Sequence, residues 1–168
     1  MFDRFGEFDS AEELNKTAAG LLAEGDTESI KGLAAENGLD PEDAEDYIDG
    51  VLPELANTLL AALGKLKVEA EELKLAGVLM DWKDSIVDMC TEDPEMRIAV
   101  RGKNKQLAKC MAGLIAFAFE NKVRVSDKIV DITQVTHNGK KEAMRKPLYL
   151  GVPNRAEAKR IAREYYLG

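Results

Sequence analysis

Six acids, Asp40, Glu42, Asp43, Glu45, Asp46 and Asp49, crowd one short stretch of this chain. A carboxylate series of that kind suits three chemistries: holding a hard cation, acid–base work, or imitating a phosphate backbone toward a basic protein. Calcium needs a D-x-[DN]-x-[DN]-G loop, which the stretch lacks, and its acids fall on a predicted helix. Acid–base work needs a carboxylate whose pKa is raised by desolvation, and a densely charged, solvated face does not provide one. The remaining readings are a solvated acidic helix or a phosphate-mimicking surface that binds a protein.

Other reactive side chains are sparse. His137 is the one histidine; it sits beside a predicted turn with no serine or cysteine partner evident. Cys90 and Cys110 lie on predicted apolar helix faces at a spacing that fits neither a metal site nor a redox pair, and read as reduced core residues. Neither G-x-x-x-x-G-K-[ST] nor G-x-G-x-x-G occurs. The expectation is a chain with no catalytic residue, no metal ligand and no cofactor.

Charge is segregated along the chain. Residues 1–100 hold 25 acids against 8 Lys+Arg, a balance of −17, whereas residues 101–168 hold 6 against 15, a balance of +9. The basic part contains Arg101, Lys103, Lys105 and Lys109, then Lys140, Lys141, Arg145 and Lys146, then Arg155, Lys159, Arg160 and Arg163. Tyr149, Tyr165 and Tyr166 are interleaved with the later cations. Such a groove of cations and aromatics suits RNA or single-stranded DNA. Alternatively, the two halves neutralise each other across a contact, in surface ion pairs worth little each.

The elements that would position these groups are helical. Ser10 and Glu13 stand in capping-box register for a first helix ending at Gly25, with Leu14, Leu21 and Leu22 facing inward. A second helix ends at Asn37-Gly38, suited to a left-handed cap. Asp40-Pro41 then opens the acidic helix, with Asp40 as cap and Pro41 in the first turn. Leu33–Gly50 has the outline of a helix-turn-helix, but a recognition helix with five acids and no cation would be repelled by DNA. A long amphipathic helix follows from Pro53, with Leu55, Leu59, Leu60, Leu63, Leu66, Ala70 and Leu73 on one side. Another helix carries Trp82 as a core anchor, and a short one runs from Met96 to Arg101.

Lys103 to Val123 has Leu107, Cys110, Met111, Leu114, Ile115 and Ala118 at helical spacing, with Phe117 and Phe119 widening the stripe. With no charge from Cys110 to Phe119, this helix is expected to be covered on most of its circumference and to form the spine of the core. Val123-Arg124-Val125 reads as a brief extended piece, Asp127–Ile132 as a short helix, and Asn138-Gly139 as a hairpin turn. A last helix, Arg155–Tyr166, should turn Ala156, Ile161, Ala162 and Tyr165 inward. Phe2, Phe5 and Phe8, spaced by three, should tack the N-terminus onto the core. These phenylalanines and Tyr165 and Tyr166 could meet within one chain or across a dimer, so the sequence leaves monomer or dimer open.

The resulting expectation is a mainly α protein: a compact bundle-like domain of seven or eight helices over residues 1–168, with a small C-terminal hairpin appendage near 134–150. No long apolar run marks a signal peptide or membrane span, which points to a cytoplasmic protein.

Four stretches carry a family resemblance: ENGLDPEDAEDYIDG (Glu36–Gly50), LLAALGKLKVEAEELKLAGVLMDWKDSI (Leu59–Ile86), CMAGLIAFAFENKVRVSDKI (Cys110–Ile129) and LYLGVPNRAEAKRIAREYYLG (Leu148–Gly168). Together they resemble small proteins from mobile elements of gut Firmicutes, a group similar to an anti-CRISPR family that inhibits the type II CRISPR effector nuclease. The resemblance implies a non-enzymatic inhibitor whose partner is that nuclease. The alternative is a nucleic-acid-binding or protein-interaction accessory factor of a conjugative element or prophage.

Overall fold

The computed structural model describes residues 2–168 and is mainly α, with two small antiparallel strand pairs toward the C-terminus. The helices are α1 (Ala11–Ala23), α2 (Thr27–Glu36), α3 (Pro41–Ile48), α4 (Thr58–Glu72), α5 (Val78–Glu92), α6 (Pro94–Arg101), α7 (Leu107–Glu120), α8 (Asp127–Ile132) and α9 (Arg155–Leu167). That is one helix beyond the expected upper number among the described residues. Strand β1 (Val123–Arg124) pairs with β4 (Tyr149–Leu150), and β2 (Gln134–His137) pairs with β3 (Lys140–Ala143). Asn138 and Gly139, both at positive φ, make the two-residue turn between β2 and β3 that their types called for.

Local chemistry accounts for most helix starts. The side chains of Ser10, Asp26, Asp40, Asn57, Asp93 and Asn154 each accept a backbone N–H from the first turn they precede. The cap at Asn57 corrects one expected boundary. Pro53 does not open α4; the chain bends through residues 51–55, with Leu55 buried.

The core forms two clusters. One gathers Phe8, Leu14, Ile30, Leu33, Leu39, Tyr47 and Leu55; the other gathers Leu66, Trp82, Ile86, Met96, Leu107, Leu114 and Tyr166. Ala61 belongs to the first and Ala62 to the second, so α4 runs through both. The terminal aromatics are therefore separated: Phe5 and Phe8 serve the first cluster, Tyr165 and Tyr166 the second. Several expected inward residues face out instead, among them Leu73 on α4's apolar side, 40% exposed. Leu22 is exposed while Ala11 and Ala18 line the core, and Ala156 is exposed while Ala158 takes its place.

The spine of the core is α4, which packs against α1, α5, α6 and α7, and not the apolar α7. α7 buries Leu107, Cys110, Met111 and Leu114 along one side, while Ile115 and Phe119 are 41% and 68% exposed. α4 and α9 cover its inner side, and Gly151, just after β4, sits against the Ala118 carbonyl at its C-terminal end. Apolarity all round was thus a misleading sign of burial.

Charges, by contrast, are buried on α4. Lys65, wholly inaccessible, donates to the carbonyl oxygens of Gly102 (2.6 Å) and Lys105 (2.9 Å) and pairs with Glu7 at 2.7 Å. One turn on, Glu69 accepts the N–H of Leu107 at 3.0 Å, capping α7 from outside. Arg101, also buried, donates through Nη2 to Asn37 Oδ1 at 2.8 Å and lies 5.9 Å and 6.0 Å from the Phe2 and Phe8 ring centres. Asn37 in turn donates to the Leu33 carbonyl at the end of α2. The N-terminal segment, α2, α4, α6 and the start of α7 are tied by this one polar network.

Burial raises the Glu69 carboxyl, with the Leu107 N–H and Lys65 pulling the other way. In the unfolded chain that carboxyl gives up its proton near its ordinary value of 4.5, whereas the folded state holds the proton to higher pH. Over that window the folded chain binds more protons, so stability falls as pH rises from about 4.5 through the folded pKa. Glu69→Gln, whose amide oxygen can still accept from Leu107, is expected to remove this falling component. Urea denaturation across pH checks it; an unchanged pH slope would assign the dependence elsewhere.

Candidate protein-binding surfaces

The acidic helix α3 is built to be seen. Asp40 accepts the Glu42 N–H at 3.0 Å, Pro41 occupies the first turn, and Ala44 and Tyr47 are buried beneath. That leaves Asp40, Glu42, Glu45 and Asp49 exposed and Asp43 and Asp46 half-buried. Glu45 pairs with Lys31 at 3.2 Å, and among the described residues no ion pair reaches the other five. Asp40, Glu42 and Asp43 suit the positive end of the helix dipole. Asp46 and Asp49 sit at the opposite end, where no basic residue compensates them and where acids cost rather than contribute helix stability.

Packing fixes how this helix is presented. Gly38, at φ +68°, crosses α4 at Gly64 so closely that a Cβ on Gly64 would lie 2.1 Å from the Asn37 carbonyl oxygen, and one on Gly38 would lie 2.4 Å from that of Gly64. Two glycines therefore seat the α2–α3 turn on the spine, and Arg101 holds the Asn37 side chain from the other direction.

The basic residues do not form one patch. On α9, Arg155 pairs with Asp88, Lys159 with Glu92 at 3.8 Å and Arg163 with Asp93, so the outer face of α9 is stitched to α5 and the α5–α6 junction. Arg160 pairs along its own helix with Glu164 at 2.7 Å and lies 6.0 Å from the Phe117 ring. Lys146 pairs with Asp131, which holds the ammonium above its ordinary pKa. Lys140, Lys141 and Arg145 have no ion pair among the described residues. Lys140 stands opposite His137 and Lys141 opposite Thr136, so strand alternation puts the two lysines on opposite faces of the hairpin. Arg101, grouped by sequence with the surface cations, belongs to the buried network, and Lys105 donates to the Tyr165 carbonyl at 2.7 Å.

Reactive groups outside these surfaces are quiet. Cys90 and Cys110 are free and buried, their thiols pushed up to about 12 by desolvation. His137 is exposed. Among the described residues no three His, Cys, Asp or Glu side chains are placed to share a metal ion, and no helix is long and apolar enough to cross a membrane.

Two grooves flank α5. One, of about 450 Å³, is bordered by Asp81, Asp84, Asp88, Pro153 and Arg155 over Trp82. The other, of about 300 Å³, lies between α4 and α5 and is edged by Lys67, Lys74 and Lys83. Along the chain Lys67, Lys74 and Lys83 lie 7 and 9 residues apart and read as separate surface cations. Only the antiparallel return of α5 against α4 gathers them. No family model, curated protein or solved structure matches this chain.

Gly64→Ala tests the seating of the acidic helix. Forcing the α2–α3 turn off α4 should cost about 1–3 kcal/mol or more despite alanine's better helix propensity. Gly20→Ala in α1, where the new Cβ meets no atom within 4 Å, should gain ~0.5–1 kcal/mol. Equal effects of the two substitutions in denaturant melts would show that the close crossing does not constrain the fold.

Proposed function

We propose that this chain is a non-enzymatic protein-binding inhibitor whose partner is the effector nuclease of a type II CRISPR system, engaged through the acidic face of α3. The observation that carries the reading is the set of carboxylates, Asp40, Glu42, Asp43, Asp46 and Asp49, held among the described residues without an ion-pair partner on a helix that does not need them all. Such a face matches what a basic protein channel expects of a nucleic-acid backbone. An RNA-guided nuclease has channels of that kind for its heteroduplex and displaced strand. The choice of this nuclease among basic proteins rests on the four stretches that resemble anti-CRISPR proteins of mobile elements.

The pairing of Arg155, Lys159 and Arg163 with α5–α6 acids supports placing the interface on the acidic side. It uses up cations that would otherwise screen the N-terminal half or seek nucleic acid. A second reading, nucleic-acid binding by the C-terminal third, is favoured by Lys140, Lys141 and Arg145, which lack ion pairs among the described residues, and by the exposed aromatic rings of Phe119 and Tyr149.

The deciding experiment is co-purification with guide-loaded and guide-free effector nuclease, with DNA cleavage followed at two salt concentrations. Association should weaken as salt rises. The triple reversal Glu42→Lys, Glu45→Lys, Asp49→Lys, confined to exposed positions, is expected to weaken association at least ~10-fold and restore cleavage while leaving the melting curve in place. Retained inhibition by the triple variant would remove α3 from the interface. Binding to single-stranded RNA or DNA without any nuclease, abolished by neutralising Lys140, Lys141 and Arg145, would favour the second reading.

A further inference from the structure

The α4–α5 groove brings together three cations of the strongly acidic half. Its floor is apolar: Leu66 and Ala70 are buried, and Leu63, Leu75, Met80 and Val87 are partly covered. Its edges carry Lys67 and Lys74 from the α4 side and Lys83 from α5. Residues 1–100 contain eight Lys+Arg in all. Three of these eight line this single groove, while Lys65 and Arg97 are occupied by backbone carbonyls elsewhere. Lys83 pairs with Asp84 at 2.6 Å. Neither Lys67 nor Lys74 has an ion pair among the described residues; Glu71, at helical spacing from both, also lines the groove, so its edge carries three cations against one carboxylate.

Lys74 stands out for its backbone as well. It follows α4 at φ 51°, and the Leu75 N–H returns to the Ala70 carbonyl. A turn of this form ordinarily ends in glycine or asparagine, because a Cβ disfavours the left-handed region. The chain does use glycine after α1, α2 and α3, at Gly25, Gly38 and Gly50. At the mouth of the groove it places a lysine instead.

We propose that this groove docks an acidic amphipathic helix of a partner protein. An apolar stripe on the incoming helix would lie over Leu63, Leu66, Ala70, Leu75, Met80 and Val87, with carboxylates on its flanks meeting Lys67 and Lys74. The span from Leu63 to Lys74 corresponds to roughly 16 Å of helix axis, or three turns. An occupant of that length presents apolar residues at i, i+3 or i+4, and i+7. The site is separate in charge from the α3 face and stands or falls independently of the nuclease reading.

The probe is a synthetic amphipathic peptide of about 15 residues, Leu on one face and Glu on the others, titrated into the full chain and followed by amide NMR shifts. A twin with Lys in place of Glu and a scrambled acidic peptide serve as comparisons. The acidic helix should shift residues of α4 from Leu63 to Lys74 and of α5 from Met80 to Val87, and should bind at least ~10-fold tighter than either comparison.

Lys74→Gly supplies the discriminating variant. It relieves the left-handed backbone, so the melting temperature should hold or rise while affinity for the acidic peptide falls several-fold. Lys67→Glu should lower affinity further and improve binding of the basic twin. Equal binding of the three peptides, an affinity unaffected by both substitutions, shifts outside the groove, saturation by laurate with no peptide binding, or self-association of the chain through this face would each overturn the proposal.

Discussion

An ammonium group with no access to water must be completely satisfied, and Lys65 meets that condition by drawing three parts of the chain to one point. Its three donors find the Glu7 carboxylate and the carbonyls of Gly102 and Lys105. Removing such a charge from water costs several kcal/mol unless geometry compensates. The N-terminal segment and the α6–α7 turn therefore have little freedom to sit anywhere but around the middle of α4. Glu69, four residues on and on the same helix face, extends the constraint by holding the first N–H of α7. The spine of this fold is set by two charged residues one turn apart, and the apolar surfaces assemble around it.

From that constraint follows the handling of net charge. A half-chain of −17 would repel itself if left alone. The C-terminal helix relieves the part around α5 and α6 by laying Arg155, Lys159 and Arg163 against Asp88, Glu92 and Asp93. Asp93 does double service, since it also caps α6, and its carboxyl is held below the ordinary range chiefly by Arg163 and the cap. No corresponding cation sheet reaches α3. Lys31 and Lys103 each meet one acid, Glu45 and Glu13, at 3.2 Å and 3.3 Å. The residual negative field is thus concentrated on the α1–α3 side by the topology, and not merely by composition.

Much of the local structure could be read in the sequence because its causes are local. Ser10, Asp40, Pro41, Gly38 and Asn138-Gly139 act within a few residues of themselves, and each does in the fold what its type and spacing required. Phe5 and Phe8 anchor the N-terminus as their spacing indicated. What sequence reading missed depends on partners distant along the chain. α7 was expected to be the spine because it is apolar, yet burial is decided by what packs against a helix, and the helices that pack most closely on it, α4 and α9, cover one side. Arg101 read as one of a run of surface cations because its partner Asn37 lies 64 residues away, and Lys65 and Glu69 drew no notice because theirs lie 37 and 38 residues away. The six α3 acids were recognised as a group, whereas the basic set was split among α9 ion pairs, a hairpin and a loop.

The two surfaces share one support. Gly64 receives the α2–α3 turn on one side of α4, and Leu63, Leu66, Lys67 and Ala70 form the wall of the lysine-edged groove on the same three turns. Between them Lys65 and Glu69 lock α4 to the rest of the core, so neither surface can shift without disturbing a buried charge. A flexible adaptor would have separated its contacts with loops. Here the acids of α3 and the lysines of the α4–α5 groove are instead carried on one support, α4, so their spacing is fixed by the packing of the core.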